Sequence, residues 1–503
     1  SSSEGVREMQ TTQAPNGVTT VGRTRKLGRL GLFMAVALVI GNMIGSGVFT
    51  LPSALAGVSV TNGAGSMLAW VFTGVGAIVL ALVFANLGRA YPRTGGPYVY
   101  ARRAFGDFIG FQTAWGYWIA AWAGNAVLAI AFVGYLAFFF PVLSETAIYG
   151  ALVGIGLVWL LTLVNILGVR ESGWVQAVTT VLKFVPLLAI GLIGVFFVEG
   201  SNYTAFAPNG MGMGDGLLGG VTAAATLTLW AFIGLESATV PAEEVANPER
   251  NIPRATVIGT IATTLVYILA TVAIMGVIPA TTLQDSASPF AAAATAIFGG
   301  AGYWDDAVAL VALVSIFGCL NGWILLTGRV PLAAARDGLF PKRFARVSGR
   351  SGTPVFGLVV SSLLLSGLML MNYTKSLVDQ FTFILLLATL TTLIPYAYSA
   401  AAQMYLLFAD RARFQGRRLA IDAGIALLAF AYSVWTIAGA GSDIVFKGFM
   451  LLMLGVPVYV YMKWRDNKEG RVVEPEAELT PPTVSTFTPP TPVEPVPRRP
   501  VAV

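Results

Sequence analysis

Two ionisable side chains lie inside apolar stretches of the sequence, where a charge is costly. Lys183 stands in the run 181–185, and Glu236 follows Gly234 and Leu235 in a second run. A charge at the centre of a membrane span costs about 2.5–3.5 kcal/mol on insertion scales, so such residues usually face the protein interior and have a function. We expect Lys183 either to replace a coupling cation or to exchange a proton. The alternative, that Lys183 snorkels to the membrane surface, is disfavoured by its mid-span position.

Glycines interrupt the first long apolar stretch at 41–49. Gly41, Gly45 and Gly47 each disfavour a helix by about 1 kcal/mol relative to Ala. Backbone groups that come free at such a break within a bilayer must be buried in protein or line a cavity. A second break is predicted at 229–237, five spans later, and two breaks in corresponding positions are typical of inverted-repeat transporters.

The two predicted breaks together suit a zwitterionic amino acid. Free N–H groups at residues 45–47 would bind its carboxylate, because the N-terminus of a half-helix favours negative charge. Carbonyls near Met43, Trp230 and Ile233 would bind its ammonium group. The alternative is that these glycines only allow helices to pack closely. At Glu236, beside the second break, pairing with Lys183, a proton role and capping of the half-helix all remain open.

Polar and aromatic side chains in three other predicted spans can complete a pocket. Tyr117, Ala121 and Asn125 share one helix face in the third span, because residues four apart in a helix are neighbours. An intramembrane Asn needs a partner, and aromatic rings offer flat walls with polar tips. The other candidates, each of which alone is as consistent with packing, are Asn321, Trp323 and Tyr396.

The composition is that of a helical membrane protein. The chain has 503 residues, of which 56% are hydrophobic and 11% charged, with one Cys and no His. A soluble protein is about a quarter charged, and apolar runs of about 20 residues recur without strand-like alternation. A lone Cys and the absence of His exclude a disulfide framework, a Cys or His metal site and a histidine relay. No metal, cofactor or nucleic-acid partner is therefore expected.

The hydropathy pattern predicts an all-α fold of about twelve spans in a lipid bilayer, with breaks in spans 1 and 6 of a 5+5 inverted repeat. A ten-helix transport core is predicted at 27–406, two additional helices at 407–467, and disordered tails at 1–26 and at the Pro-rich 468–503. The predicted spans are 30–55, 66–88, 106–140, 147–169, 174–198, 218–245, 255–279, 304–334, 354–371, 380–406, 419–439 and 445–463.

Basic residues predict the orientation of the spans. Lys and Arg cluster before span 1 and after spans 2, 6, 8 and 10, whereas the alternate loops carry few. By the positive-inside rule, both termini are expected to be cytoplasmic.

Seven sequence motifs in this order resemble those of the amino acid–polyamine–organocation family, within it the bacterial basic amino acid/polyamine antiporters and most of all the arginine/agmatine exchangers. The likeness covers about residues 27–465. The motifs occupy 41–49, 100–106, 117–125, 229–238, 287–290, 322–326 and 337–341.

The resemblance implies a role for each candidate residue in a bacterial inner-membrane transporter. Trp230 would form an outer gate over the substrate, Trp323 would stack on its side chain, and Asn125 would bond its far end. The substrate's α-groups would be held by Asn42, Gly45, Ser46 and Gly47. The gate toward the cytoplasm would consist of Tyr117, Glu236 and Tyr396. A homodimer is also implied by the resemblance alone.

Three positions depart from the arginine/agmatine pattern. Ala121 and Ala388 stand where those exchangers have small polar residues, and a less polar pocket bonds a guanidinium less well. Lys183 stands where they are apolar, and a fixed positive charge there disfavours a dication.

Three functions remain open from the sequence. The first is an amino-acid or polyamine exchanger that works by alternating access. The second is a proton-coupled or uncoupled carrier of neutral amino acids, with Lys183 as the coupling or placeholder group. The third is a membrane receptor that binds an amino acid without moving it. An enzyme is not expected, because the sequence offers no nucleophile–base pair.

Overall fold

In a computed structural model, the chain is largely helical. The structure describes residues 30–58, 62–167, 173–203, 217–240, 242, 245–299, 303–349, 351–414 and 419–468. The predicted tails at 1–26 and 468–503 therefore lie outside the described residues, except for Lys468, which ends the last helix.

The described residues form seventeen α-helices. In chain order these are α1 Leu32–Met43, α2 Ser46–Val58, α3 Asn62–Ala90, α4 Pro97–Phe139, α5 Val142–Glu145, α6 Ala147–Leu167, α7 Gly173–Gly194, α8 Leu217–Trp230, α9 Pro248–Val277, α10 Ala280–Leu283, α11 Pro289–Phe298, α12 Trp304–Arg336, α13 Val355–Asn372, α14 Leu377–Ala409, α15 Leu419–Ala438, α16 Ser442–Met453 and α17 Gly455–Lys468.

Within the described part of the chain, eleven helical segments are long and apolar enough to cross a membrane. They correspond to every predicted span except the sixth, for which 218–245 was predicted. There the helix α8 ends at Trp230, and residues 231–240 form consecutive turns. The sixth span is thus half helix and half turn, which agrees with an interrupted span. The short helices α5, α10 and α11, which connect spans, were not predicted.

The first break separates α1 from α2 at Ile44 and Gly45. Ile44 leaves the helix with φ −76° and ψ 90°, while its N–H still donates to the carbonyl of Ile40 at 2.8 Å. The chain then restarts as a helix at Ser46. The side chains of this region are buried, so the freed backbone groups face protein and not lipid, as the cost of unpaired groups in lipid requires.

The second break depends on Gly234. Its φ of 112° lies in the left-handed region that favours glycine. A Cβ there would stand 3.0 Å from the carbonyl carbon of Asn42, so the second break can lie directly against the first only if this residue is glycine.

The broken helices are enclosed by long, continuous ones. The kinked helix α4 packs along α12 and α14, while α3 packs along α9, and α1 lies against both α7 and α9. The kink in α4 falls at Gly106, where φ is 81°. We refer below to the side of the bundle where α1 begins as the α1 face, and to the other side as the opposite face.

Candidate functional site

A buried cavity lies where the two breaks meet. Its volume is about 30 Å³, whereas one water needs about 10–15 Å³ by the same measure. The cavity therefore has room for a few waters in this conformation and must widen to hold an amino acid. It is lined by Asn42, Met43, Gly45, Ser46, Gly47, Tyr117, Ala120, Ala121, Gly124, Leu128, Trp230, Ile233, Cys319, Trp323 and Thr392.

Backbone amides from the start of α2 are available at this cavity. The first N–H groups of a helix have no partner within the helix, and α2 begins with Ser46 and Gly47, both of which line the cavity. The N–H of Gly45 instead donates to the carbonyl of Met43 at 2.9 Å. Of the three amides predicted to bind a carboxylate, those of Ser46 and Gly47 are therefore the better placed.

The carbonyls at the end of α1 are largely engaged by neighbouring side chains. Tyr267 donates its hydroxyl to the carbonyl of Met43 at 2.6 Å, and the indole N–H of Trp323 donates to the carbonyl of Asn42 at 3.3 Å. These bonds fix the end of α1 against α9 and α12. An ammonium group near Met43 would have to share its carbonyl with Tyr267.

A buried carboxylate closes the cavity on the side of the α1 face. The hydroxyls of Tyr117 and Tyr396 donate to the two oxygens of Glu236 at 2.6 and 2.5 Å. The N–H of Gly234 donates to the same carboxylate at 3.1 Å. The three predicted gating residues of this side are thus in direct contact, and they connect the second break to α4 and α14.

Trp230 covers the cavity on the side of the opposite face. Its indole N–H lies 3.4 Å from the hydroxyl oxygen of Ser46. The ring packs against Gly124, where a Cβ would approach it to 2.7 Å. The cavity thus lies between Trp230 on one side and the cluster of Tyr117, Glu236 and Tyr396 on the other.

Lys183 is buried beside the end of α1 and not at the cavity. Its exposed fraction is 2%, and its ammonium group donates to the carbonyl of Gly41 at 3.3 Å. The C-terminal end of a helix favours a cation, so this position suits the positive charge of the Lys183 ammonium group. Lys183 does not pair with Glu236, which Tyr117 and Tyr396 bind.

Two predicted substrate-binding residues lie away from the central cavity. Asn321 accepts a hydrogen bond from Asn165 at 2.8 Å. Asn125 donates from its amide nitrogen to the hydroxyl of Thr327 at 2.9 Å and lines a second, smaller cavity. The other predicted substrate-binding residues all line the central one. Whether any of them binds a substrate remains a prediction.

Sequence reasoning missed several residues of this region. Cys319 and Thr392 line the cavity, and Tyr267 donates to carbonyls on both breaks, those of Met43 and Ala231. A helical projection offers a weak signal for Cys319, which lies four residues before Trp323 and hence on the same face. For Tyr267 there was no such signal, because its role depends on how α9 packs.

Among the residues that the structure describes, those lining the cavity carry no charged side chain. A cluster of ion pairs lies at the α1 face, where Arg102 bonds Asp107 at 2.9 Å and Asp337 at 3.0 Å. Near them, Tyr91 donates to Asp410 at 2.8 Å. Burial, and secondarily the carboxylate of Asp410, raise the pKa of Tyr91 to about 12, so its hydroxyl remains a donor at neutral pH.

Comparison with known proteins gives consistent results along most of the chain. The family described as "Amino acid permease" matches residues 30–462. A putative arginine/ornithine antiporter of Bacillus subtilis is 35% identical over 468 residues, which cover 87% of this chain and 98% of the relative. The cadaverine/lysine antiporter of Escherichia coli K12 is 36% identical over 77% of this chain and 84% of the length of the antiporter. The putrescine transporter PotE of Haemophilus influenzae is 32% identical over 88% of this chain and 98% of its own.

Proposed function

The chain belongs to the amino acid permease family, and from that premise we propose that it exchanges amino acids or polyamines across a membrane by alternating access. It is a multi-pass membrane protein. The observation that carries the proposal is the cavity between two interrupted helices, with helix-terminal amides on one wall and aromatic rings on the others. The names of its relatives, which are antiporters and a polyamine transporter, support the exchange reading.

The substrate's α-carboxylate would bind the N–H groups of Ser46 and Gly47, because the positive end of the α2 dipole favours an anion. Its ammonium group would approach carbonyls of the second break near Ile233. The side chain would then lie between the rings of Trp230 and Trp323. Since the described residues that line the cavity include no carboxylate, a cationic side chain would be held by the faces of these rings.

Alternating access would follow from opening the two closures in turn. On the side of the opposite face, Trp230 would swing away from Ser46 and Gly124. On the side of the α1 face, the bonds from Tyr117 and Tyr396 to Glu236 would separate. Each closure connects a broken helix to a continuous one, so rocking the broken pair against α4 and α14 opens one side while the other stays closed.

Counterflow in proteoliposomes tests the exchange. Vesicles containing purified protein and an unlabelled candidate, such as arginine, ornithine, lysine, cadaverine or putrescine, are diluted into the labelled compound. We expect rapid uptake that requires internal substrate. Uptake into empty vesicles at the same rate would contradict exchange, and binding without any flux would instead favour a receptor.

A second candidate function is proton-coupled or uncoupled transport of neutral amino acids. The contact of the Lys183 ammonium group with the carbonyl of Gly41 favours it, because a lysine that gains and loses a proton there would alter the hold on α1. Uptake of neutral amino acids into empty vesicles, driven by a pH gradient and lost in Lys183→Ala, would support this candidate over exchange. Lys183→Arg, which keeps a permanent charge, is the matched control.

The proposal also covers where the protein lies and how it assembles. We place the protein in a bacterial inner membrane with the α1 face, and hence both termini, in the cytoplasm, because basic side chains cluster at that face. Substrate is expected to cross unchanged, with no catalytic step. A homodimer within the bilayer is proposed from family resemblance, and cross-linking in native membranes would test it.

A further inference from the structure

A second buried cavity lies behind the central one, between α4, α12 and α13. Its volume is about 10 Å³, close to the space that one water requires. No described residue lines both cavities. The lining residues are Trp122, Asn125, Ile324, Thr327, Leu358, Ser361, Ser362 and Leu365.

Two polar atoms on α4 lack a partner at this cavity. Neither the indole N–H of Trp122 nor the side-chain oxygen of Asn125 has a hydrogen bond to any described residue. The residues are only 7% and 2% exposed, respectively. Burying a polar group without a hydrogen-bond partner is costly, so the two atoms call for a ligand that accepts from one and donates to the other.

The orientation of the Asn125 amide is set by its neighbour. The hydroxyl of Thr327 donates to the carbonyl of Trp323 at 2.7 Å, so it can only accept from Asn125. The amide nitrogen of Asn125 therefore faces Thr327, and the amide oxygen is the atom left without a partner. This side of the cavity offers an acceptor.

The two serines at the cavity can only accept further hydrogen bonds. Ser361 already donates to the carbonyl of Gly357 at 2.7 Å. Thr162 donates to the carbonyl of Val158, so in its 2.7 Å contact with Ser362 the serine is the donor. Their protons are committed, and only lone pairs remain for a ligand.

The cavity thus offers one donor and several acceptors. A water molecule fits this set, because it can accept from Trp122 and donate to Asn125 and to one serine, which gives the three bonds typical of buried water. An anion would find a single donor, and an ammonium ion would be buried without a counter-charge. We propose that this cavity is a binding site for one ordered water that joins Trp122 and Asn125 of α4 to α13.

The water would hold Asn125 in its present position. With its oxygen on the water and its nitrogen on Thr327, the amide is satisfied away from the central cavity. Trp122 is then a positioning residue for Asn125. The inference concerns the solvation of the scaffold and does not depend on which substrate the central cavity accepts.

A structure of the purified protein in lipid nanodiscs, at a resolution that reveals ordered water, tests the site. We expect one density peak at hydrogen-bond distance, roughly 2.7–3.2 Å, from both the Trp122 nitrogen and the Asn125 oxygen. A cavity without density, or direct protein partners for both atoms, would overturn the proposal. The wild-type map decides this even if no variant folds.

Trp122→Phe removes the donor and keeps an aromatic ring. We expect the peak to disappear or to shift by more than a bond length, with a melting temperature lower by a few degrees. A peak that stays at its wild-type position would overturn the role of Trp122. The matched control is Trp118→Phe, one turn earlier on α4, because Trp118 donates directly to Ser361 at 2.8 Å. In that variant the peak should remain between Trp122 and Asn125.

Discussion

At the scale of single residues, the central cavity combines neutral polar groups with aromatic surface. Trp323 serves both, since its ring lines the cavity and its N–H bonds the carbonyl of Asn42. Trp323→Leu should weaken substrate binding by roughly two- to tenfold, because a stacked ring contributes about 0.5–1.5 kcal/mol. Titration of substrate into purified protein measures this change.

Trp323→Phe is the matched control for the same position. Phe retains an aromatic face but not the N–H, so affinity should fall less than in Trp323→Leu. Equal losses in both variants would show that the bond to Asn42 matters more than stacking. Wild-type affinity in both would remove Trp323 from the binding site.

Cys319 allows a direct test of the cavity, because it is the only Cys in the chain. Its buried thiol lines the cavity, so a small thiol reagent that enters from solution should modify this one residue and block flux. Substrate at ten times its dissociation constant should slow labelling by about tenfold, since mass action leaves about one site in eleven free. Mass spectrometry measures the labelling rate. Cys319→Ala should not be labelled, and substrate that fails to protect would place the binding site elsewhere.

The sequence identified the residues of the cavity that belong to a local pattern. Ser46 and Gly47 follow a run of helix-breaking glycines, and Trp230 precedes the second break, so each could be located without tertiary information. Asn125 shares a helix face with Tyr117 and Ala121, and the family resemblance implied that it bonds the far end of the substrate. The structure turns its amide toward Thr327 on another helix, and helix periodicity carries no information about that contact.

At the scale of the helices, the site depends on close approach of the two breaks. A Cβ on Gly47 would lie 2.9 Å from the Cα of Ala231. A backbone atom cannot move aside to relieve this clash as the end of a flexible side chain can. Gly47→Ala should therefore separate α2 from the second break, at a cost of about 1–3 kcal/mol typical of overpacking. Thermal unfolding and counterflow should both show a loss.

Gly57→Ala is the control on the same helix. The nearest atom to its added Cβ, on Gln284, would be 4.0 Å away. This variant should keep the wild-type melting temperature and flux. If Gly47→Ala behaves like Gly57→Ala, the breaks are not held together by this contact.

The cluster of Tyr117, Glu236 and Tyr396 couples the second break to the continuous helices α4 and α14, and substitutions in this cluster test that coupling. Glu236→Gln preserves the size of the side chain but replaces one acceptor oxygen by an amide NH2 group. The variant therefore no longer offers one acceptor oxygen to Tyr117 and another to Tyr396. We expect a loss of about 1–3 kcal/mol from the mismatched buried group, seen as a lower melting temperature, together with slower exchange. Tyr396→Phe removes a single hydroxyl and should have the smaller effect. Full stability and full exchange in Glu236→Gln would indicate that this cluster does not close the cavity.

The helices differ in how far the sequence could specify them. Long apolar runs located α3, α9 and α12 because length and hydropathy are properties of the chain itself. The second half of span 6 carries Gly234 and Glu236, from which a break was predicted, and residues 231–240 do form turns. Gly234, with its left-handed backbone, lies against Asn42. The local sequence does not reveal such a long-range contact, which fixes where the helix gives way to turns.

At the scale of the whole molecule, the last helix is tied to the transport core at the α1 face. Lys463 of α17 bonds Asp107 of α4 at 2.6 Å, and Asp107 bonds Arg102, which reaches Asp337 at the C-terminal end of α12. Tyr98 also donates to Asp337 at 2.6 Å. These groups link three helices that belong to distant parts of the chain, across the side of the bundle that Glu236 closes.

Asp107→Asn should weaken this connection, because Asp107 accepts from both Arg102 and Lys463. The side chains of Lys463 and Asp107 are 34% and 25% exposed, so solvent screening limits the loss to about 1 kcal/mol or less for each pair. We expect a modest fall in melting temperature in detergent, which 1 M salt largely removes by screening the wild-type pairs as well. The control is Lys447→Met, which breaks the exposed pair with Asp443 near the opposite face. It should change neither the melting temperature nor its dependence on salt. An Asp107→Asn protein as stable as wild type at low salt would mean that α17 is held by apolar packing alone, and the ionic cluster would then have no part in keeping the α1 face closed.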